Sequence, residues 1–519
     1  MPSMPVHGFL WTSCSRIQRS IKDRAGNFCK AEADMQNMNC QTPVEKWKQQ
    51  SVPDRGSMPF LLRICLVGSL GGLLFGFDTA VISGTFGFVA TQFALSKLAV
   101  GWFGSAALVG CVLGAVVAGW AGDRFGRKPM LIIGGILFFL SAFLAAVAPS
   151  FNFLIWARII GGVGVGVVSV LAPMYISEFS PPKVRGRLVS LYQLSIVVGI
   201  LLAYYSNWML LSFSETHVGA FSGIGSLHLA LVSEVWRGMF GAAMIPSALF
   251  LMLLLAAPES PRWLAQKGRM ERAFQILAHI SGREIASTEV TEIGKAASRE
   301  EGSLRELLKP GLRSALIVGI GLSVFGQLTG VNIVVYYGPM ILEHAGLKIG
   351  SAMQYQVALG IINLVFTLIA IWKVDSWGRR PLLLWGMAVV TLTLAITGLL
   401  FVLKLASGIW IVAVLGAYMA CVALSICAVI WVLTSEIFPN RIRGRAVSIA
   451  VFSNWTTNAM SAFLFPWFVG RFGMSTGFFT FSAICLVATI FFWKLVPETK
   501  GRTLEEIEQH WLGKRPEIV

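Results

Sequence analysis

Charged residues are scarce in this chain. Asp, Glu, Lys and Arg make up 13% of its 519 residues, whereas about 25% is usual in a soluble domain. Apolar residues make up 55%, and the mean hydropathy is +0.70. These values exclude a soluble globular fold. The apolar residues occur in runs of about 20, each long enough to cross the roughly 30 Å hydrocarbon core as a helix. The sequence therefore predicts an all-α, polytopic membrane protein.

Cysteine and histidine are also scarce, with 8 and 6 residues, and no two cysteines form a CxxC pair. The scattered cysteines favour neither a disulfide framework nor a zinc site. The histidines are equally dispersed, and no nucleophile stands near a base partner in the sequence. We therefore expect no metal, no cofactor and no enzymatic activity.

The apolar runs predict twelve membrane spans, which are called spans 1 to 12 below. Their expected bounds are, in order, 61–84, 98–121, 130–148, 151–177, 187–206, 237–257, 313–338, 352–374, 381–403, 409–436, 443–470 and 474–496. A fold of two six-helix halves follows from this count and from the internal repeat described below.

The segments outside the spans have their own character. Residues 1–57 lack apolar periodicity, so we expect a disordered extension. The charged stretch 259–312 is expected to form short amphipathic helices on the cytoplasmic face. This gives an N-terminal half at 58–258, a C-terminal half at 313–496 and a cytoplasmic tail at 497–519.

The basic residues are divided unevenly between the two membrane faces. If both termini are cytoplasmic, 36 of the 42 Lys and Arg residues fall on inner segments and five on outer loops. This asymmetry is the positive-inside rule, and it predicts cytoplasmic termini in a plasma or inner membrane. The net charge of +16 then faces anionic lipid, so no nucleic-acid partner is expected.

The chain repeats itself. GDRFGRKP at 122–129 returns as VDSWGRRP at 374–381, and SEFSPPKVRGRLVS at 177–190 returns as SEIFPNRIRGRAVS at 435–448. PESPRWL, from residue 258, has a looser echo in PETKGRT, from residue 497. A parallel repeat of this kind predicts a midplane site between two halves that rock against each other. The two copies of this third motif are separated by fewer residues than the copies of the first two motifs. This difference predicts a long loop between spans 5 and 6, at roughly 207–236.

Two lone charges fall deep inside predicted spans: Asp78 in GGLLFGFDTAVISG and Arg158 in IWARIIGG. An unpaired charge at the bilayer centre costs roughly 2.5–3.5 kcal/mol, so we expect the two to pair. Protonation of the carboxylate would weaken the pair and bias one conformation, which makes it a candidate proton relay. A fixed structural ion pair is the alternative.

The duplicated motifs place carboxylates and arginines at span ends, where bidentate pairs can break and reform. We interpret them as latches of a cytoplasmic gate, the alternative being solvated loop charge that only sets topology. They are Asp123, Arg127, Glu178 and Arg185 in the first half, and Asp375, Arg379, Glu436 and Arg443 in the second.

Amides and indoles form a third group within otherwise apolar spans. Amides donate and accept hydrogen bonds, and an indole covers the C–H face of a sugar ring, so together they suit a neutral polyhydroxyl ligand. Each alone could instead bond a neighbouring helix. The group is Gln193, Gln327, Asn332, Asn363, Trp431, Asn454, Trp455 and Asn458.

A glycine series, GGVGVGVV at 161–168, superficially matches a dinucleotide-binding loop. It lies inside a span with no strand before it, so we expect it to serve close helix packing.

The motifs together resemble the sugar porter family of the major facilitator superfamily. GFDTAVISG, GDRFGRKP, PMYISEFSPPKVRGR, PESPRWL, QLTGVNIVVYYGP, VDSWGRRPLL, SEIFPNRIRGRA and PETKGRTLEEIE carry the resemblance from about residue 60 to residue 510. The chain is most similar to bacterial proton-coupled xylose and hexose symporters. The resemblance implies that Asp78 and Arg158 couple the proton. It implies sugar contacts at Gln193, Gln327, Asn332, Trp431 and Trp455, and also at Phe75, Tyr336, Asn363 and Asn458.

Two departures from the family pattern bear on the sugar. Where the family has a double Gln, this chain has Gly326 and Gln327, and Asn454 stands where xylose-type members carry Gln. Each change removes or shortens an amide in the expected site, so the sequence predicts the sugar class but leaves the individual sugar open.

The leading hypothesis is a transporter that imports a monosaccharide with a proton and functions as a monomer in the lipid bilayer. A facilitative uniporter, with a static Asp78–Arg158 pair, is the first alternative. A membrane sugar sensor is the second, and the tail of only 23 residues after 496 counts against it.

Overall fold

The computed structural model describes residues 56–182, 184–221, 223–297, 312–406, 408–438 and 442–500, together with 506–507 and 511. The expected disordered extension therefore lies, except for its last two residues, outside the described part of the chain. The side chains of Asp375 and Arg443 are also outside it, although both residues belong to described helices.

The described residues form an all-helical protein with the twelve expected spans. Spans 1 to 6 are Met58–Val81, Lys97–Phe125, Arg127–Ala146, Phe151–Phe179, Arg185–Thr216 and the pair Val235–Ala242 and Met244–Ala256. Spans 7 to 12 are the pair Leu312–Leu328 and Val331–His344, then Ile349–Trp377, Arg379–Val402, the pair Ile409–Leu424 and Ile426–Glu436, Arg443–Phe472 and Met474–Leu495.

Short elements connect the spans. A 3-10 turn, Ile82–Gly84, and a helix, Phe86–Gln92, follow span 1. The linker between the halves contains the helices Pro261–Gln266, Met270–Ser281 and Arg283–Ala297. The second of these has a strongly apolar side that packs on the other two linker helices, as amphipathic helices do.

Eleven spans are long and apolar enough to cross a membrane by composition alone. Span 11 is long enough, with 30 residues, but it is more polar than the others because Asn454, Thr456 and Asn458 interrupt its apolar residues. The most polar span is thus one of those expected to carry the ligand site.

Local sequence explains where several helices begin and break. The hydroxyls of Ser57, Ser96 and Ser150 accept hydrogen bonds from backbone amides in the first turns of spans 1, 2 and 4. Span 7 breaks at Gly330, whose φ of +84° lies in the left-handed region that glycine adopts without strain. The break leaves the second half of span 7 free to take its own direction.

Spans 2 and 4 pack backbone to backbone through the glycine series. A Cβ at Gly162 would overlap the carbonyl oxygen of Ala107, and a Cβ at Gly166 would overlap that of Cys111. The series is therefore a helix-packing surface, as the sequence indicated.

The expected loop at 207–236 is wrong at its start, because span 5 continues as a helix to Thr216. Asn207 donates a 2.9 Å hydrogen bond to the carbonyl oxygen of Val81, and Leu211 is buried. These contacts with the first half extend the helix by ten residues beyond the apolar run that the sequence marks. The remaining connection contains two short helical segments, Gly225–His228 and Leu229–Ser233.

The folded region also begins before Met58. The backbone amide of Ser57 donates to the carbonyl oxygen of His279 at 2.8 Å, and the rings of Phe60 and His279 lie 5.7 Å apart. The start of span 1 is thereby held against the linker helix Met270–Ser281.

The two halves meet at one end of the bundle. We call the end that carries Arg127 and Glu436 the motif end, and the other the opposite end. At the opposite end, Phe86 stacks on Tyr337 with ring centroids 4.5 Å apart, and a Cβ at Gly101 would overlap the carbonyl oxygen of Phe463. Close contacts therefore join the two halves at the opposite end, between the helix Phe86–Gln92 and span 7 and between spans 2 and 11.

Candidate substrate and proton site

Asp78 and Arg158 form a buried ion pair between spans 1 and 4. Arg158 Nη1 donates to Asp78 Oδ1 at 2.6 Å, and its Nη2 donates to the Asp78 carbonyl oxygen at 3.2 Å. The residues are 7% and 2% exposed, respectively. Because both terminal nitrogens of the guanidinium hydrogen-bond to Asp78, this residue fixes the position of the Arg158 side chain. Arg158 Nε is buried without a hydrogen-bond partner.

The surroundings of this pair are apolar and tight. The guanidinium lies 5.2 Å from the ring centroid of Phe240 in span 6, which supports it by a cation–π contact. Gly161, one turn after Arg158, leaves room for Ser141, whose hydroxyl donates to the carbonyl oxygen of Ala157 at 2.8 Å. Electrostatic interactions are stronger in such a low-dielectric environment, so the strength of the Asp78–Arg158 interaction depends strongly on whether Asp78 is charged.

Three amides of the second half form a hydrogen-bonded chain. Asn332 Nδ2 donates to Gln327 Oε1 at 2.6 Å, and Gln327 Nε2 donates to Asn454 Oδ1 at 2.8 Å. The chain runs across the break in span 7 to span 11. Mutual bonding fixes the orientation of each amide, so the donors and acceptors that remain point in set directions.

A second pair extends this polar region. Asn458, one turn after Asn454, donates to the hydroxyl of Tyr336 at 3.0 Å. Both residues are buried, and Tyr336 is four positions from Asn332 on the second part of span 7. The spacing places the two pairs on one face of their helices.

The aromatic residues divide between a buried and an open position. Trp455 is 4% exposed and contacts Phe75 of span 1, with ring centroids 5.4 Å apart. Trp431 of span 10 is 44% exposed although its chain neighbour Ile430 is buried. Phe75 precedes Asp78 by three positions on the same helix, so span 1 joins the ion pair to the amide region of the other half.

Gln193 and Asn363, also expected in the sugar site, lie on spans 5 and 8. Gln193 is half-buried on span 5 and follows Tyr192, whose ring lies against Gly72 of span 1. Asn363 is buried on span 8. Within the described residues, neither side chain hydrogen-bonds to the three-amide chain.

At the motif end of the first half, Arg127 joins three spans. It forms ion pairs with Asp123 at 2.9 Å and with Glu178 at 3.0 Å. Glu178 also accepts a hydrogen bond from the hydroxyl of Ser260, after span 6. Glu259 Oε1 accepts from the backbone amides of Arg127 and Lys128, 3.1 Å each, and so caps the start of span 3.

The second half contains a similar arrangement. Arg379 Nη2 lies 3.4 Å from Glu436 Oε1, and the Thr499 hydroxyl donates to Glu436 Oε2 at 2.5 Å. Glu498 accepts from the backbone amides of Arg379 and Arg380 at 3.1 Å each, and caps span 9. The residues predicted from sequence do not include Glu259, Ser260, Glu498 or Thr499, although the PES and PET echo marks their positions.

Arg185 lies apart from the Arg127 cluster. Its Nε donates to the carbonyl oxygen of Ser180 at 3.3 Å, and its charge acts on Glu289 of the linker helix Arg283–Ala297. Burial raises the pKa of the Glu289 carboxyl, whereas Arg262 and Arg185 lower it. Arg185 thus faces the linker rather than Glu178.

The arrangement of a buried carboxylate, an amide region and duplicated charge clusters agrees with one family model. The model, described as sugar (and other) transporter, matches residues 64–511. The chain belongs to this family. The arabinose-proton symporter of Bacillus subtilis is 37% identical over 472 residues, covering 91% of this chain and 99% of that protein. The D-xylose-proton symporter of Escherichia coli K12 is 38% identical, covering 87% and 96%.

Solved structures agree with this membership. The inward open conformation of the xylose transporter XylE from E. coli matches with a TM-score of 0.73 and 36% identity, over 87% of this chain and all of that chain. The expected family and the twelve-helix major facilitator fold are therefore confirmed, and the chain is a multi-pass membrane transporter rather than an enzyme.

Proposed function

We propose that this protein imports a monosaccharide, a pentose or a hexose, together with a proton. Family membership and the names of the two symporter relatives support sugar and proton as substrates. The observation that carries the proposal is the buried Asp78–Arg158 pair on the span that also contacts Trp455 through Phe75. A buried carboxylate at this position is suited to taking up and releasing a proton, which a proton-coupled carrier requires.

The amide region is the proposed sugar site. Gln327, Asn332 and Asn454 would donate to and accept from the hydroxyls of a neutral ring, and Tyr336 with Asn458 would extend the polar surface. The open indole of Trp431 would cover the C–H face of the ring. The roles of Gln193 and Asn363 rest on the family resemblance.

The proton step takes place at the Asp78 carboxylate. Protonation of an Asp78 oxygen removes its negative charge, so the ion pair with Arg158 becomes a weaker hydrogen bond in which only the guanidinium is charged. Span 1 is then held less firmly to span 4 and can shift relative to the second half through Phe75. Release of the proton on the other side restores the ion pair.

The duplicated clusters are the proposed gate elements of the motif end. The packed contacts at the opposite end fit a state that is closed there, so substrate would exchange at the motif end. Asp375 and Arg443 belong to the same proposal by their place in the repeat.

We also propose the membrane orientation, the oligomeric state and the domain division of the protein. The asymmetry of Lys and Arg supports a cytoplasmic position for the motif end and both termini, in a plasma or inner membrane. One chain contains both halves and both proposed sites, so a monomer suffices, and no nucleic acid is expected as a partner. The proposed domain division is an N-terminal half at 58–258, a linker at 259–312, a C-terminal half at 313–496 and a tail at 497–519.

The test is transport by the full chain in proteoliposomes. Counterflow with a panel of labelled pentoses, hexoses and polyols identifies a transported sugar. An imposed pH gradient, acidic outside, should then drive that sugar above its equilibrium level, and a protonophore should abolish the accumulation. Counterflow without accumulation would favour a uniporter, and binding without counterflow would favour a sensor.

A further inference from the structure

A proline in span 7 leaves one backbone carbonyl without its usual helix partner. Pro339 lies inside the helix Val331–His344, and it has no N–H with which to bond the carbonyl oxygen of Val335, four positions earlier. The hydroxyl of Tyr204 donates to this oxygen at 3.1 Å. A buried carbonyl without a partner is costly. Removal of this hydroxyl therefore costs more than removal of a bond to a carbonyl that also has a helix partner.

This bond crosses from one half of the protein to the other. Tyr204 belongs to span 5 and Val335 to span 7. Tyr204 is 2% exposed, and a Cβ at Gly360 of span 8 would lie 3.0 Å from its ring, so its side chain contacts both spans 7 and 8. One turn later, Asn207 binds the carbonyl oxygen of Val81 and fixes span 5 to span 1. Tyr204 therefore extends from an anchored part of the first half into the second half.

We propose that Tyr204 is a positioning residue of the transport cycle, whose hydroxyl holds the second helix of span 7 while the opposite end is closed. The inference rests on the proposed function and deepens it, since Asn332 and Tyr336, two proposed sugar contacts, lie on the same helix. Movement of the halves apart at the opposite end separates the hydroxyl from the carbonyl. The opening admits water, which then bonds to both groups. Without the hydroxyl, only the closed state contains an unpaired carbonyl, so the equilibrium shifts toward opening.

The test removes the hydroxyl and keeps the ring, by Tyr204→Phe. Hydrogen–deuterium exchange of the full chain in lipid nanodiscs, read by mass spectrometry, reports opening at each end without a label. We expect faster exchange at the opposite end, in Phe86–Gln92 and Val331–His344, by about two- to tenfold, the range that one hydrogen bond gives. Exchange at the motif end, in the first turns of spans 3 and 9, should stay level or fall. A general loss of stability would instead raise exchange at both ends.

Three further variants assign the effect to this bond. Tyr205→Phe removes a hydroxyl from the neighbouring tyrosine, which is 49% exposed, and should exchange like wild type. Pro339→Ala restores a backbone N–H that can donate to Val335, so Tyr204→Phe should have a smaller effect in this background than in wild type. Tyr204→difluorotyrosine keeps the ring and makes the hydroxyl more acidic and a stronger donor, so it should slow exchange at the opposite end.

The outcomes separate this inference from the proposed function. Unchanged exchange in Tyr204→Phe, or a rise at both ends, overturns the inference and leaves the proposed function standing. An effect of equal size in the Pro339→Ala background overturns it as well, because the carbonyl then has a helix partner. Where Tyr204→Phe does not fold, the difluorotyrosine variant decides: slower exchange at the opposite end supports the inference, and unchanged or faster exchange overturns it. Absence of sugar counterflow in the wild-type protein overturns the proposed function, whatever the exchange rates are.

Discussion

Asp78 and Arg158 are 80 positions apart in the sequence, yet each is the nearest charged group available to the other inside the membrane. The sequence predicted this pair because two lone charges in apolar spans must find a partner. It did not predict that Arg158 would also bind the Asp78 carbonyl oxygen or lie over Phe240. Those contacts depend on the packing angle between spans 1, 4 and 6, which no local pattern encodes.

Asp78→Asn should abolish sugar accumulation driven by a pH gradient and preserve sugar counterflow. The amide oxygen can still accept a hydrogen bond from Arg158, but the side chain cannot release a proton. Glu215→Gln, at an exposed carboxylate near the end of span 5, is the matched control and should accumulate sugar normally. Accumulation that persists in Asp78→Asn and still depends on pH would show that another group couples the proton.

Gln327→Ala and Trp431→Ala should each weaken sugar binding without preventing insertion. The first removes the centre of the amide chain, and the second removes the ring that is proposed to cover the sugar. Loss of a hydrogen-bond partner costs about 1–3 kcal/mol, which is roughly five- to 150-fold in affinity. Equilibrium binding of the transported sugar measures the effect, with Trp385→Ala, at a 74% exposed indole, as the control. Unchanged affinity in both variants would move the site elsewhere.

At the scale of the helix, the apolar runs predicted most spans to within a few residues. A run of about twenty apolar residues in lipid satisfies its backbone hydrogen bonds by forming a helix. The exceptions have local causes that hydropathy does not register. Span 5 is longer than its apolar run because Asn207 is paired with Val81. Span 7 is two helices because Gly330 takes a positive φ next to Thr329, whose hydroxyl bonds to the Gly326 carbonyl oxygen at 2.7 Å.

Gly162→Ala should destabilise the first half, because its new methyl group would meet the backbone of Ala107, which cannot move aside as a side chain can. Overpacking of this kind costs about 1–3 kcal/mol. Thermal unfolding in detergent should show a lower Tm than wild type. Gly119→Ala, at a glycine of span 2 with open space around it, should leave the Tm unchanged. Equal Tm values for the two variants would mean that spans 2 and 4 are not in backbone contact at Gly162.

At the scale of the whole molecule, the repeat extends further than its sequence match. PESPRWL and PETKGRT share only two identical residues at aligned positions, P and E, yet Glu259 and Glu498 cap spans 3 and 9 in the same way. A carboxylate at a helix N-terminus stabilises the helix dipole as well as its free amides. The end of span 6 and the start of the tail are therefore structural counterparts.

Glu259→Ala and Glu498→Ala should each lower the Tm and slow transport at saturating sugar, with little change in sugar affinity. Each removes a cap, which costs about 0.5–2 kcal/mol, far from the amide region. Unfolding in detergent and initial transport rates measure the two effects, and Glu215→Ala serves as the control. A rate and Tm equal to those of wild type in both variants would assign the caps no role in the gate.

Removal of residues 1–55 should leave sugar uptake nearly intact, because their composition offers no apolar face to bury. Removal of residues 1–57 should cost more, since Ser57 caps span 1 and donates to His279 of the linker. Comparison of the two truncations by Tm and uptake tests this boundary. Loss of membrane insertion on removal of residues 1–55 would contradict the predicted boundary.

The polarity of span 11 has a consequence for how the protein is made. Asn454 and Asn458 lower the hydrophobicity of this span, and the translocon releases helices to lipid according to their hydrophobicity. Arg443–Phe472 packs on span 2 through Phe463 and Gly101, so a helix synthesised early can receive it. We expect span 11 fused alone to a glycosylation reporter to insert inefficiently, and to insert fully when the preceding spans are present. The same polar residues that are proposed to contact the sugar would thus make the insertion of span 11 depend on the spans made before it.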